Sequence, residues 1–159
     1  MKTTLSDYIE QLCRTHKDIM HQDDEMHFTD LADEEQNGYA HKMHYPCVVL
    51  DDGDFDMREP DKQLQLVDKS SLMFLTHVRD TGDANEIRAA FALTKQLCKD
   101  FMRRMLRDRK NGVPVMRRLN LDGATGERIF MKDVALYGYV LEFENPEIFV
   151  DLDCNNAFV

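Results

Sequence analysis

Between Asp83 and Lys110 the chain repeats one pattern for about 26 residues, and no other feature constrains the fold as strongly. Ile87, Ala90, Phe91, Thr94, Cys98, Phe101, Met102 and Met105 fall at three- and four-residue steps, with Leu97 and Leu106 at the margin of the stripe. Asp83 followed by Glu86 three residues later is a capping-box pattern, Thr81-Gly82 supplies the turn before it, and Asn111-Gly112 supplies the stop. Such a helix spans roughly 39 Å at 1.5 Å per residue. With a single apolar side, it must lie across another layer of structure to bury that side. Arg88, Lys95, Lys99, Arg103, Arg107 and Arg109 fall on the other side, facing water or a partner, and the bases of the last turns complement the helix dipole.

The flanking segments supply the layer. A shorter amphipathic helix runs from Thr4 to about Lys17, with Leu5, Tyr8, Ile9, Leu12 and Cys13 on one side and Thr4 as its cap. Tyr45 to Leu50 reads as a strand, Asp51-Asp52-Gly53-Asp54 as a turn, and Phe55 to Arg58 as a short extended piece. Gln63 to Val78 reads as extended chain interrupted or bulged at Asp68-Lys69-Ser70, and Leu72 to Leu75 is apolar on both faces, as in a strand covered on both sides. Beyond the long helix, Val115 to Leu121 reads as a strand, Asp122-Gly123-Ala124-Thr125-Gly126 as a hairpin loop, Glu127 to Met131 as its return, and Tyr137 to Phe143 as a closing strand. Strands that do not alternate with helices argue against a doubly wound fold. The expectation is one α+β domain over residues 1–159: a mostly antiparallel sheet with the long helix and the N-terminal helix packed on it. A polar arm at about 18–44 and an extended C-terminal tail at about 146–159 complete it.

Charge narrows the function classes. The 159 residues carry 30 acids and 20 bases, a net −10, and an acidic whole repels duplex phosphate at long range. The charge is also segregated: residues 1–61 hold an acidic excess, 85–118 a basic excess and 119–159 a second acidic excess. No apolar run approaches the roughly 20 residues of a membrane helix. Met1 to Cys13 lacks the apolar core of a secretory signal, so a cytoplasmic-type domain without membrane contact is expected. Cys13, Cys47, Cys98 and Cys154 form no C-x-x-C, and the first three sit in apolar stretches, which points to reduced, buried thiols.

Little in the sequence is arranged for chemistry. His41-x-x-His44, with His21, Asp23, Asp24, Glu25 and His27, offers metal ligands, yet matches neither H-E-x-x-H nor a cysteine–histidine zinc spacing. His77 reads as a strand residue near a sheet edge. No serine lies in a G-x-S-x-G elbow, and Gly123 to Gly126 lacks the ending of a phosphate loop. The acids of 51–56 fail the twelve-residue calcium loop, whose sixth position must be glycine and twelfth glutamate. No catalytic residue, metal or cofactor is expected. The candidate protein–protein interface is Arg103, Arg104, Arg107, Arg109, Arg117 and Arg118, facing the acids Asp51, Asp52 and Asp54 of a neighbouring copy. Such head-to-tail contacts form a ring where the rotation closes.

The layout resembles a known group. The N-terminal helix Leu5 to His16, the arm leading into Tyr45-Pro-Cys-Val-Val-Leu50, and the Lys69-Ser-Ser-Leu-Met-Phe-Leu75 strand carry the resemblance. The helix through Lys95 to Arg109, Leu119-Asn-Leu-Asp122 and the closing Tyr137-Gly-Tyr-Val-Leu-Glu-Phe143 strand complete it. Together they resemble the bacteriophage tail-terminator and tail-completion proteins and the ring-forming neck proteins of Bacteroidota phages, crAss-like phages included. The resemblance implies a non-enzymatic virion protein of the neck or tail, assembled in the host cytoplasm into a ring such as a hexamer or dodecamer. It would contact neighbouring neck or tail proteins, and DNA would pass through the lumen without sequence-specific binding. The alternative is a small acidic adaptor or regulatory binding protein acting as a monomer or dimer.

Overall fold

The structure, a computed structural model, describes residues 3–31, 43–59, 65–117 and 119–146. The fold is α+β. In chain order the elements are helix α1 (Leu5–Thr15), strands β1 (Phe28–Asp30), β2 (Cys47–Arg58) and β3 (Gln65–His77), helix α2 (Ala84–Lys110), and strands β4 (Asn120–Met131) and β5 (Leu136–Pro146). One five-stranded sheet runs β1-β2-β3-β5-β4. All its pairings are antiparallel except β1 with β2.

Both helices form for the reasons their sequences give. At α1, the Thr4 hydroxyl accepts from the Asp7 N–H while the Asp7 carboxylate accepts from the Thr4 N–H, a complete capping box. At α2, Asp83 accepts from the N–H groups of Asn85 and Glu86, but Glu86 reaches past the cap to the N–H groups of Arg79 and Asp80, tying down the turn from β3.

The two helices cover one face of the sheet. Ile9, Leu12 and Cys13 from α1 and Leu97, Phe101 and Met105 from α2 bury Val48, Leu50, Leu72, Phe74, Leu141 and Phe143. At its centre Phe74 meets Phe101 edge-on, centroids 5.1 Å apart, a geometry that adds to simple area burial. The other face carries a smaller cluster of Cys47, Val49 and Leu75 with Met73, Ile129 and Leu136, flanked by Leu31 and Met43. The apolar character of Leu72 to Leu75 on both sides thus reflects a central strand with two covered faces.

Three expectations are corrected. First, Asp51 to Asp54 is not a turn: β2 runs straight through it with a bulge, since Asp51 pairs with Ser71 and Asp54 with Lys69, leaving Asp52 and Gly53 against Ser70. The Ser70 hydroxyl donates to the Asp52 carboxylate there, and β3 itself is uninterrupted. Second, Pro114–Met116 is a 3-10 turn that buries Met116, so β4 begins only at Asn120. Third, Asp122 to Gly126 lies within β4 rather than at a hairpin tip. Leu121 to Ala124 bulge opposite Phe143 alone, with Gly123 at φ +79°. The hairpin turn is Lys132–Val134, closed by Ala135 in the left-handed region at φ +53°. The expected three-stranded meander is therefore one bulged hairpin, β4–β5.

Strand β1 was not foreseen; residues 32–42 of the expected polar arm lie outside the described residues, His41 among them, as do Arg118, Cys154 and the tail beyond Pro146. Cys13, Cys47 and Cys98 are buried thiols, as expected. His77 ends the central strand β3 rather than an edge strand.

Candidate interaction surfaces

The basic end of α2 is anchored to α1 by a carboxylate. Asp108 is buried, and its Oδ2 accepts from the Tyr8 hydroxyl at 2.9 Å and from Arg104 Nε at 2.7 Å. Burial pushes the Asp108 carboxyl up, but the bonds from Arg104 and Tyr8 and the charge of Arg107 outweigh it, and the net shift is downward. The same contact, with burial as the larger cause, pushes the Tyr8 hydroxyl well up.

A group whose carboxyl is held below its ordinary value stabilises the fold above that ordinary value, and the contribution disappears as pH falls through the lowered one. Asp108→Asn is therefore expected to cost about 1.5–3 kcal/mol near neutral pH, the range for hydrogen bonds to a charged group. The gap from wild type should close below about pH 4, near the ordinary aspartate value. Urea unfolding of both proteins between pH 2 and 7 checks it; a gap independent of pH would show that the carboxylate's charge does not matter.

Arg104 is thus engaged within the chain, while Arg103, Arg107 and Arg117 stay on the surface and Arg109 is half-buried. Arg103 lies 3.3 Å from Asp100 with two-thirds of its side chain exposed. Arg117 donates to the Gly112 carbonyl, which holds it beside the end of α2. Four of the six arginines proposed as an interface therefore lie in the last two turns of α2 or just beyond its end.

The acids form a counterpart elsewhere in the fold. A cavity of about 540 Å³ opens over the sheet beside the β4 bulge, bounded by β2, β3 and β5; its lining includes Asp51, Asp54, Asp122, Glu142 and Glu144, with Lys69 the one base among the described residues. Asp51 and Asp54, expected from the sequence at a protein–protein interface, line this cavity. Asp122, Glu142 and Glu144, the last paired with Arg58, were not singled out, although the acidic excess of 119–159 was the available signal. Asp52 is taken by Ser70, and local desolvation raises its carboxyl, with Asp68, Asp30 and Asp51 adding to the shift and the Ser70 bond opposing it.

Beyond the cavity the β2–β3 hairpin carries two large exposed apolar side chains, Phe55 and Met57, at 65% and 60% exposure. Arg58–Glu144 and Lys69–Asp56 pairs cross the strands there.

The clearest geometric gathering of metal-type ligands among the described residues is Glu10, His21 and Asp23. It is already satisfied. Arg14 donates to both carboxylates, and His21 Nδ1 accepts the His27 N–H at 3.0 Å. A neutral imidazole whose Nδ1 is an acceptor carries its proton on Nε2, the nitrogen facing Glu10 at 3.6 Å. That nitrogen has no lone pair for a metal. Burial holds the His21 imidazole below its ordinary value, in line with the neutral form. Burial likewise raises the thiols of Cys13 and Cys98, which disfavours the thiolate a nucleophile needs.

No family model, curated protein or solved structure matches the chain.

Proposed function

We propose that the chain is a non-enzymatic assembly subunit of a phage neck or tail, joining copies of itself into a ring around the DNA channel and meeting neighbouring neck or tail proteins at the ring's faces. The observation that carries this reading is the pairing of two preformed, oppositely charged surfaces on one rigid frame. Arg103, Arg107, Arg109 and Arg117 lie in the last two turns of α2 or just beyond its end, and Asp51, Asp54, Asp122, Glu142 and Glu144 line the cavity over the sheet. Two different complementary patches on one chain make a heterologous contact, the kind that generates rings when it closes. Charge at such a contact sets orientation and association rate more than affinity, and Phe55 and Met57 add apolar surface beside the acidic side. With a net charge of −10, a ring of such chains would repel phosphate and let DNA slide.

The test is charge reversal with rescue. Arg103→Glu/Arg107→Glu is expected to weaken self-association at least tenfold by sedimentation velocity at low salt, and adding Asp51→Lys/Asp54→Lys is expected to restore it. Both sites are on the surface, so folding should be unchanged by circular dichroism. Unaltered association in the double variant, or failure of the quadruple variant to recover, removes the proposed contact.

A further inference from the structure

His27 differs from His21 in the one respect that matters for metal binding. Its side chain is nine-tenths buried, and its Nδ1 lies 2.7 Å from the Pro46 carbonyl oxygen. A carbonyl can only accept, so Nδ1 carries the proton and the lone pair of the neutral ring is on Nε2. That nitrogen faces Glu25 Oε1 at 3.7 Å, and His44 Nδ1 faces the same oxygen at 4.0 Å. The two rings lie close, centroids 5.7 Å apart and tilted by 42°. A lone pair turned toward a carboxylate oxygen is repelled by it unless a cation lies between them. An imidazole whose far N–H is held by a backbone carbonyl is also the arrangement that orients histidine for a metal.

From this geometry we infer that Glu25, His27 and His44 hold a divalent transition-metal ion of the zinc class. Imidazole and carboxylate donors together suit zinc and disfavour calcium or magnesium. Two ligand atoms on a tetrahedral zinc sit about 3.3 Å apart at ordinary bond lengths, so His27 Nε2 at 3.7 Å and His44 Nδ1 at 4.0 Å must each move in toward Oε1, the second by about twice as much as the first. The nitrogens do not yet meet each other; the His44 side chain is half exposed, so its ring can turn toward His27 without disturbing the core. A water or a further side chain completes the shell.

The backbone gives the site a role. His27 directly precedes β1 and His44 stands three residues before β2. The chain is already joined there by His44 N–H to the Met26 carbonyl at 2.7 Å and Val48 N–H to the His27 carbonyl at 2.8 Å. A bound ion would clasp the two ends of the connection between β1 and β2 at the parallel edge of the sheet. The inference stands apart from the ring proposal, since the site does not include either charged surface.

The experiment is titration of the full chain with zinc sulfate by calorimetry, after chelator treatment and dialysis, with metal content read by mass spectrometry. Cobalt(II) serves as a visible-absorption reporter of tetrahedral nitrogen–oxygen ligation. One zinc per chain is expected, weakened at least tenfold by His27→Gln, by His44→Gln and by Glu25→Gln, and unchanged by Glu10→Gln and Asp23→Asn. His44→Gln guards against misfolding of the His27 variant, because its side chain is half exposed. Absence of saturable binding overturns the inference. So does binding that survives His27→Gln and His44→Gln, or that is lost with Glu10→Gln or Asp23→Asn, which would put the ion in the other cluster.

Discussion

Gly138→Val is expected to remove a large part of the chain's stability. Gly138 lies in β5 between Leu75 of β3 and Ile129 of β4, and a Cβ built on it would overlap the carbonyl oxygen of Phe74. The obstacle is backbone on a central strand, so relief requires the β3–β5 ladder to separate. Overpacking a core ordinarily costs about 1–3 kcal/mol where side chains can give way; here they cannot, and the cost should exceed about 3 kcal/mol against a total stability of roughly 5–15. Gly138→Ala already meets the obstacle, because the clash is with the first side-chain carbon. Far-ultraviolet circular dichroism and urea unfolding of both variants measure this. A cooperative transition near the wild-type midpoint would show that β5 approaches β3 less closely than the structure has it.

Phe101→Ala has the next largest effect. Phe101 is 2% exposed and holds α2 to the sheet through Phe74; it also lies 5.8 Å from the His16 ring beyond the end of α1. Truncating a buried phenylalanine costs about 3–5 kcal/mol, from lost burial and the cavity left behind. For a chain of this size that corresponds to a melting temperature lower by roughly 10 °C, read by calorimetry. Leu106→Ala on the same helix is a control: its side chain is 44% exposed, and the change should stay within about 0.5 kcal/mol. Equal losses at the two positions would mean that the apolar stripe of α2 is not what fixes it to the sheet.

The parts of this fold that could be read from the sequence are those whose causes are local. Thr4 with Asp7, and Asp83 ahead of the Ile87–Met105 stripe, mark both helices because capping and periodicity act within a few residues. The alternation of Tyr137, Tyr139, Leu141 and Phe143 marks β5 in the same way. The bulges could not be read, because a bulge is defined by the partner strand: Asp51-Asp52-Gly53-Asp54 and Asp122-Gly123-Ala124-Thr125-Gly126 have the composition of turns, and only their registers against Ser70 and Phe143 show them to lie inside strands. Strand β1 is three residues long and pairs with a segment far along the chain, so it leaves no periodic trace.

The candidate surfaces divide the same way. The arginines of α2 follow from helical spacing, and so does the Arg104–Asp108 pair four residues apart; what spacing does not show is that Asp108 is also held by Tyr8, a hundred positions away. The histidine arm offered many ligand types and no geometry. Which nitrogen of His21 and of His27 keeps its lone pair is set by an N–H of His27 and a carbonyl of Pro46, and sequence spacing carries no information about either bond.

The central claim is that this frame exists to meet further copies of itself through unlike charged surfaces. Native mass spectrometry of the full chain, from dilute to concentrated solution at low salt, tests it most directly. The account predicts a closed species of fixed stoichiometry, such as six or twelve subunits, that dissociates as ionic strength rises. A mass that stays at one or two subunits across the whole range would contradict it and favour the adaptor reading.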